Sequence, residues 1–261
     1  MAISAMAVFL TARPAMGDDS SVFGKQSQSE AALIGVLYDL KQTPDHQRSN
    51  VDPKSYINVV DEFMAKGWDE SVLNRYYRVS KPVYTTQIFV PNMDANDGPK
   101  AFGADKFVKP SRWLIHYKGL VSPPSAGTYR FWGCADDALA VAVDGKTVLI
   151  GCKWPHQAAE QWKPTDHDGA RAADDDLRPG DWMELKEGQI IDLDVIIGER
   201  PGGQFNAFLM IEKQGENYDH DRQSHPILPI FQIAPYDTPA LNDTKQEPLF
   251  AKGFPPWKSY Q

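Results

Sequence analysis

The chain has 261 residues, 42% of them hydrophobic, and a formal net charge of −8. That length is enough to bury one large or two small cores, and an acidic chain without a basic run excludes a nucleic-acid-binding face. Pro 20, Gly 19 and seven Trp favour a loop-rich all-β design.

Ala2–Leu10 is apolar but too short to span a membrane. Small residues flank Met16, as a signal-peptidase site requires. Residues 1–17 therefore read as a signal peptide, and the mature chain as secreted, periplasmic or cell-surface. Residues 18–30 are expected to be a flexible N-terminal segment. Ala31–Leu40 is an apolar run in which Leu33, Leu37 and Leu40 suit a helix, while its length also suits a strand. A polar loop, Thr43–Asn50, follows.

A helical insert is predicted over about 52–78. Asp52 can cap it and Pro53 suits a first helical position. Tyr56, Val59, Val60 and Phe63 mark one face, and Gly67 ends the helix. Asp69 can cap a second helix, with Val72, Leu73, Tyr76 and Tyr77 inward. Aromatic residues at this spacing are core, because a surface helix must bury one stripe. Val83–Val90 alternates as a strand does, and Pro91–Gly103 reads as a polar loop. Within that loop Asp94–Gly98 faintly resembles an EF-hand, but its Gly comes one place early and no Glu closes it.

The most informative stretch is Ser122–Gly145, SPPSAGTYRFWGCADDALAVAVDG. Pro123, Pro124 and Gly127 set up a sharp entry into a strand. Tyr129 and Phe131 share one face of that strand, and Arg130 and Trp132 the other. In the next strand Leu139, Val141 and Val143 share a face, and the opposite face is Ala138, Ala140 and Ala142. So small a face can lie close against another surface. Asp144-Gly145 signals a type I′ hairpin, because both residues tolerate positive φ. Thr147–Ile150 then returns. Between the first two strands sits Asp136-Asp137. Adjacent carboxylates repel unless loop N–H groups, solvent or a hard cation such as Ca²⁺ neutralises them.

The two cysteines are Cys134 and Cys152. If Val143 faces Lys146, counting outward places Cys152 opposite Asp137 and near Cys134. Export permits a disulfide, worth roughly 3 kcal/mol in the chain-entropy model; the other reading is two buried thiols. The spacing matches neither a zinc site nor a redox CxxC.

Residues 153–181 form an insertion holding Trp154, His156, Trp162, Asp166, His167, Asp168 and Asp174 to Asp176. Tryptophan beside acids and His suits a sugar site. The favoured reading is a solvated loop whose Trp residues cover the sheet, and the spacings match no metal-ligand motif. Residues 216–261 form a tail rich in Pro and aromatics that does not fold alone, but wraps the sandwich or meets a neighbour. There is no GxSxG, HExxH or P-loop.

Trp113–Gly151 resembles the protective-antigen-type domain known from bacterial toxins, glycosidases and yeast flocculin-type adhesins. The shared pattern is a strand ending in Gly, a Pro-containing turn, Gly-Thr-Tyr, an aromatic, Asp-Asp, a strand and Asp-Gly. A second stretch agrees: Leu185–Gln189, then IIDLDVIIGE, a Gly-rich turn and FNAFLMIE ending at Glu212. Ile34–Lys41 matches the family's first strand. The resemblance implies an all-β fold, an antiparallel β-sandwich over 31–215 carrying the helical insert. In the family's calcium-dependent lectin branch the Asp pair binds Ca²⁺, which holds sugar hydroxyls, and a later loop adds an Asn side chain. The matching loop here is Glu199–Asn206, with Asn206 at a strand start. In other branches the pair only shapes a turn.

Two functions are therefore expected. The first is a secreted, non-catalytic, lectin-like module that binds a glycan or polysaccharide. Its ligand-binding residues are Asp136, Asp137, Gln204, Asn206, Trp154 and Trp162, with calcium at Asp136 and Asp137. The second is a structural, adhesion or assembly module of the cell surface that contacts a cell-surface protein and binds no sugar.

Overall fold

The computed structural model describes residues 20–151, 170–172, 175–222, 224–235 and 247–260. The strands form two antiparallel sheets. The first runs in the order Ser20–Ser21, Gly24–Lys25, Val83–Thr85, Leu33–Asp39, Trp113–Ser122, Ile191–Glu199, Ala138–Val143, Lys146–Ile150. The second runs Ala170–Ala172, Asp175–Pro179, Gly127–Ala135, Gln204–Lys213, Phe89–Asp94. Between the sheets lies a core that includes Trp113, Tyr117, Phe131, Leu139, Val141, Val195, Phe205 and Leu209. The chain is thus an antiparallel β-sandwich with a small helical insert.

Alternation decides which side chains enter that core. Tyr129 and Phe131 face inward, while Trp132 packs on the outer side of its sheet with Phe208 and Met210. Leu139, Val141 and Val143 also face the core. Ala138, Ala140 and Ala142 face outward, and their small side chains admit the helix α1, Tyr56–Ala65. The α1 face is Tyr56, Val59, Val60, Phe63 and Met64. Tyr56 also donates its hydroxyl to the Trp113 carbonyl at 3.1 Å. Below α1, His116 Nε2 lies 2.6 Å from Asp194 Oδ1, with Phe63 and Trp68 as ring contacts to the imidazole.

Several expectations are corrected. The insert has one helix, not two: after Gly67, at φ +68, residues Leu73–Arg75 make only a 3-10 turn. Asp52 does not cap α1 directly. Its carboxylate accepts the Lys54 and Ser55 N–H groups just ahead of the helix. Val83–Val90 is broken into Val83–Thr85 and a strand starting at Phe89. Thr85 Oγ1 donates to the Gln87 carbonyl at 2.7 Å, closing a local bend. Pro91–Asp94 belongs to that second strand, and Asp97–Ala101 is a short helix. In the N-terminal segment Phe23 is fully buried, against Trp113 and Phe205.

The Asp144-Gly145 hairpin is as expected: φ is +51 and +75, and Val143 pairs with Lys146. A bulge between Thr147 and Leu149 then shifts the register, so Ile150 pairs with Ala140. The counting that set Cys152 opposite Asp137 is off by one. Cys134 is buried; Cys152 lies outside the described residues, as do residues 1–19. From the tail, Lys258–Tyr260 adds to the first sheet beside Trp113–Ser122, and Trp257 enters the core.

Candidate functional site

Two crossings between the sheets meet at one end of the sandwich. Gly127–Ala135 belongs to the second sheet and Ala138–Val143 to the first, so Asp136-Asp137 is the first crossing. Ile191–Glu199 belongs to the first sheet and Gln204–Lys213 to the second, so Arg200–Gly203 is the other. Register brings the crossings together: Ala135 pairs with Ala207, and Ala138 with Gly198.

Carboxylate oxygens of Asp136, Asp137 and Glu199 all lie within 4.8 Å of one another. It is the single cluster of this kind among the described residues. Asp137 is 2% exposed and Glu199 0%. The loop holds both. Arg200 N–H donates to Asp137 Oδ2 at 2.8 Å, and Gly202 N–H to Glu199 Oε1 at 2.6 Å. Gly202 and Gly203 have φ of +94 and +115, a backbone that needs glycine. Arg200 Nε lies 3.4 Å from Asp137 Oδ1.

One buried oxygen here, Asn206 Oδ1, has no hydrogen-bond partner, while the Glu199 carboxyl shares a hydrogen bond with Asp137. Asn206 is the third residue of its strand, at a register shift, and its carbonyl accepts Asp136 N–H at 3.2 Å. Gln204 is exposed at the strand's start. The sequence-expected Asp136, Asp137, Gln204 and Asn206 thus share one end of the sandwich. Trp154 and Trp162 lie outside the described residues. Glu199 was missed by sequence reasoning as a site residue. Its signal was an acid closing an apolar strand directly before a Gly-rich turn.

Burial, and then the Asp137 charge, push the Glu199 carboxyl up to about 8. The folded chain therefore keeps a proton that the unfolded chain releases at lower pH. This favours the fold below the ordinary carboxylate range and is lost as pH rises toward about 8. In chelator, the melting temperature is expected to fall between about pH 5 and about pH 8, and Glu199→Gln to flatten that fall. Parallel melting curves for the two proteins would contradict it.

No protein-family model matches this chain, and no curated protein does. Several solved structures are similar to it. The PA14 sugar-binding domain from an RTX adhesin is 15% identical, with a TM-score of 0.45 over 85% of this chain and 100% of that one. The PA14 domain of the MpAFP antifreeze protein is 16% identical, at 0.39 over 77% and 89%. The epithelial adhesin 6 A domain from Candida glabrata, in complex with Galb1-3GlcNAc, is 11% identical, at 0.40 over 81% and 95%.

Proposed function

We propose that this chain is an exported, non-catalytic carbohydrate-binding module, and that its glycan site is the end of the sandwich that carries Asp136 and Asp137. The observation that carries the reading is the convergence of three carboxylates at one end of the sandwich, one of them the fully buried Glu199, beside the unpartnered buried Asn206 Oδ1. Ca²⁺ takes six to eight oxygens at about 2.3–2.6 Å, so ligand oxygens across it lie up to about 5 Å apart. Oxygens that lie within 4.8 Å of one another fit that size. Asp136, Asp137, Glu199 and Asn206 would hold the ion. Bound calcium would supply open positions for sugar hydroxyls. Gln204, exposed at its strand's start, would hydrogen-bond the sugar, and Trp154 or Trp162 would stack on it.

A specific observation favours the second reading, a structural or adhesion module with no sugar bound. The Arg200 guanidinium already stands beside Asp137, and an internal cation can neutralise the pair. A glycan array probed with and without chelator separates the two. The lectin reading expects calcium-dependent signals. A blank array in calcium leaves the Asp pair as a turn device held by Arg200.

A further inference from the structure

At the opposite end of the same two strands lies a second cleft. Tyr129 pairs with Lys213 there, while Ala135 pairs with Ala207 at the acidic end. The intervening residues span about 20 Å at the rise of a strand. The cleft has a volume of about 310 Å³ and is lined by Tyr129, Tyr218, Phe254, Trp257, Lys213 and Glu216, among others. A neighbouring cleft of about 390 Å³ shares Tyr218 and Phe254 and adds Asn217, Asp219 and Lys252. The C-terminal segment 247–260 builds one side of both.

We propose that this double cleft is a second, metal-independent binding site for an uncharged oligosaccharide. Its walls are aromatic and already fixed. Tyr218 and Phe254 stack with centroids 5.6 Å apart and planes at 28°. Both rings are half-buried. The Tyr218 hydroxyl accepts Lys213 N–H at 2.9 Å. Tyr129 donates its hydroxyl to the Ser125 carbonyl at 2.9 Å, and Trp257 meets the Tyr129 ring edge-on at 5.4 Å. Rings held in advance lose little entropy on binding. Tyr218 and Phe254 form the wall common to both clefts, so successive sugar rings can lie on either side of it.

The polar groups select against net charge. The first cleft has one ammonium and one carboxylate, Lys213 and Glu216, 3.6 Å apart. Its Lys213 Nζ also donates to Ser125 Oγ at 2.9 Å. The neighbouring cleft likewise holds Lys252 and Asp219. A ligand satisfying both kinds of group must donate and accept hydrogen bonds at many points, as hydroxyls do. A proline-rich peptide has the shape for an aromatic groove, but each of its prolines offers no N–H to Glu216 or Asp219.

The test is calorimetric titration in excess chelator with neutral tetrasaccharides (cello-, malto-, xylo- and mannotetraose). At least one should bind, and equally well to Asp137→Asn, which keeps the oxygen that Arg200 N–H uses. Tyr218→Ala and Phe254→Ala should weaken binding by about three- to tenfold, the size of a lost aromatic contact. Glu216→Gln changes an exposed side chain, so it should weaken binding with an unchanged melting temperature. The proposal is overturned if no tetrasaccharide binds in chelator, if Asp137→Asn abolishes binding, or if folded Tyr218→Ala and Glu216→Gln both bind like the wild type. It is also overturned if a proline-rich peptide binds more tightly than every sugar. The calcium reading is independent of this site and stands or falls separately.

Discussion

Asp137→Ala is expected to reduce calcium affinity by at least about a hundredfold, and glycan binding with it. The side chain is nearly fully buried, accepts Arg200 N–H and lies within the three-carboxylate cluster. Removing one partner from a buried charged group typically costs about 3–5 kcal/mol, which corresponds to a hundredfold or more in affinity. The same change frees the Arg200 loop, so a loss of binding alone would be ambiguous. Asp137→Asn resolves this, because it keeps an oxygen for Arg200 N–H while removing the charge. It should melt close to the wild type and still bind calcium weakly. Calcium and glycan titrations unchanged in both variants would place the site elsewhere.

Phe63→Ala is expected to destabilise the fold by about 3–5 kcal/mol, the usual cost of emptying a buried aromatic site. Phe63 is fully buried and lies 5.2 Å, centroid to centroid, from both Trp68 and His116. With Tyr56, Val59, Val60 and Met64 it forms the face through which α1 covers the outer side of the first sheet. Its loss opens a cavity over the His116–Asp194 pair, whose side chains are 2% and 5% exposed. Against a typical domain stability of about 5–15 kcal/mol, chemical denaturation will read the change easily. A loss under about 1 kcal/mol would mean that the helix is an appendage on the sandwich.

The outcome along the chain follows the range of each signal. The hairpin at Asp144-Gly145 was legible because two residues decide it locally. The facing of Tyr129, Phe131 and the alanine strand was legible because alternation has only two answers. The bulge near Val148 was not, since the residues alternate plausibly in either register. The break after Thr85 depends on one hydroxyl turning back to the chain, which strand-like composition conceals. Phe23 was hidden in a polar surrounding, and its burial is set by Trp113 and Phe205, far along the chain.

The site divides in the same way. Asp136-Asp137 announced itself as an adjacent acidic pair, and the glycines at 202 and 203 marked the facing loop. Glu199 did not stand out, because a single acid ending an apolar strand has many uses. Its weight comes from pairing, which sets Gly198 against Ala138 and so brings Glu199 to the Asp pair. Arg200 is equally a product of the fold: its N–H and guanidinium both reach Asp137.

The most direct test is calorimetric titration of Ca²⁺ into chelator-stripped protein, with a melting curve at each end. The account expects saturable heat for one ion per chain. Linkage then raises the melting temperature as calcium exceeds its dissociation constant, and Asp137→Ala abolishes both signals. Absence of heat, with no change in melting at millimolar calcium, would contradict it and leave Arg200 as the counter-charge of the Asp pair.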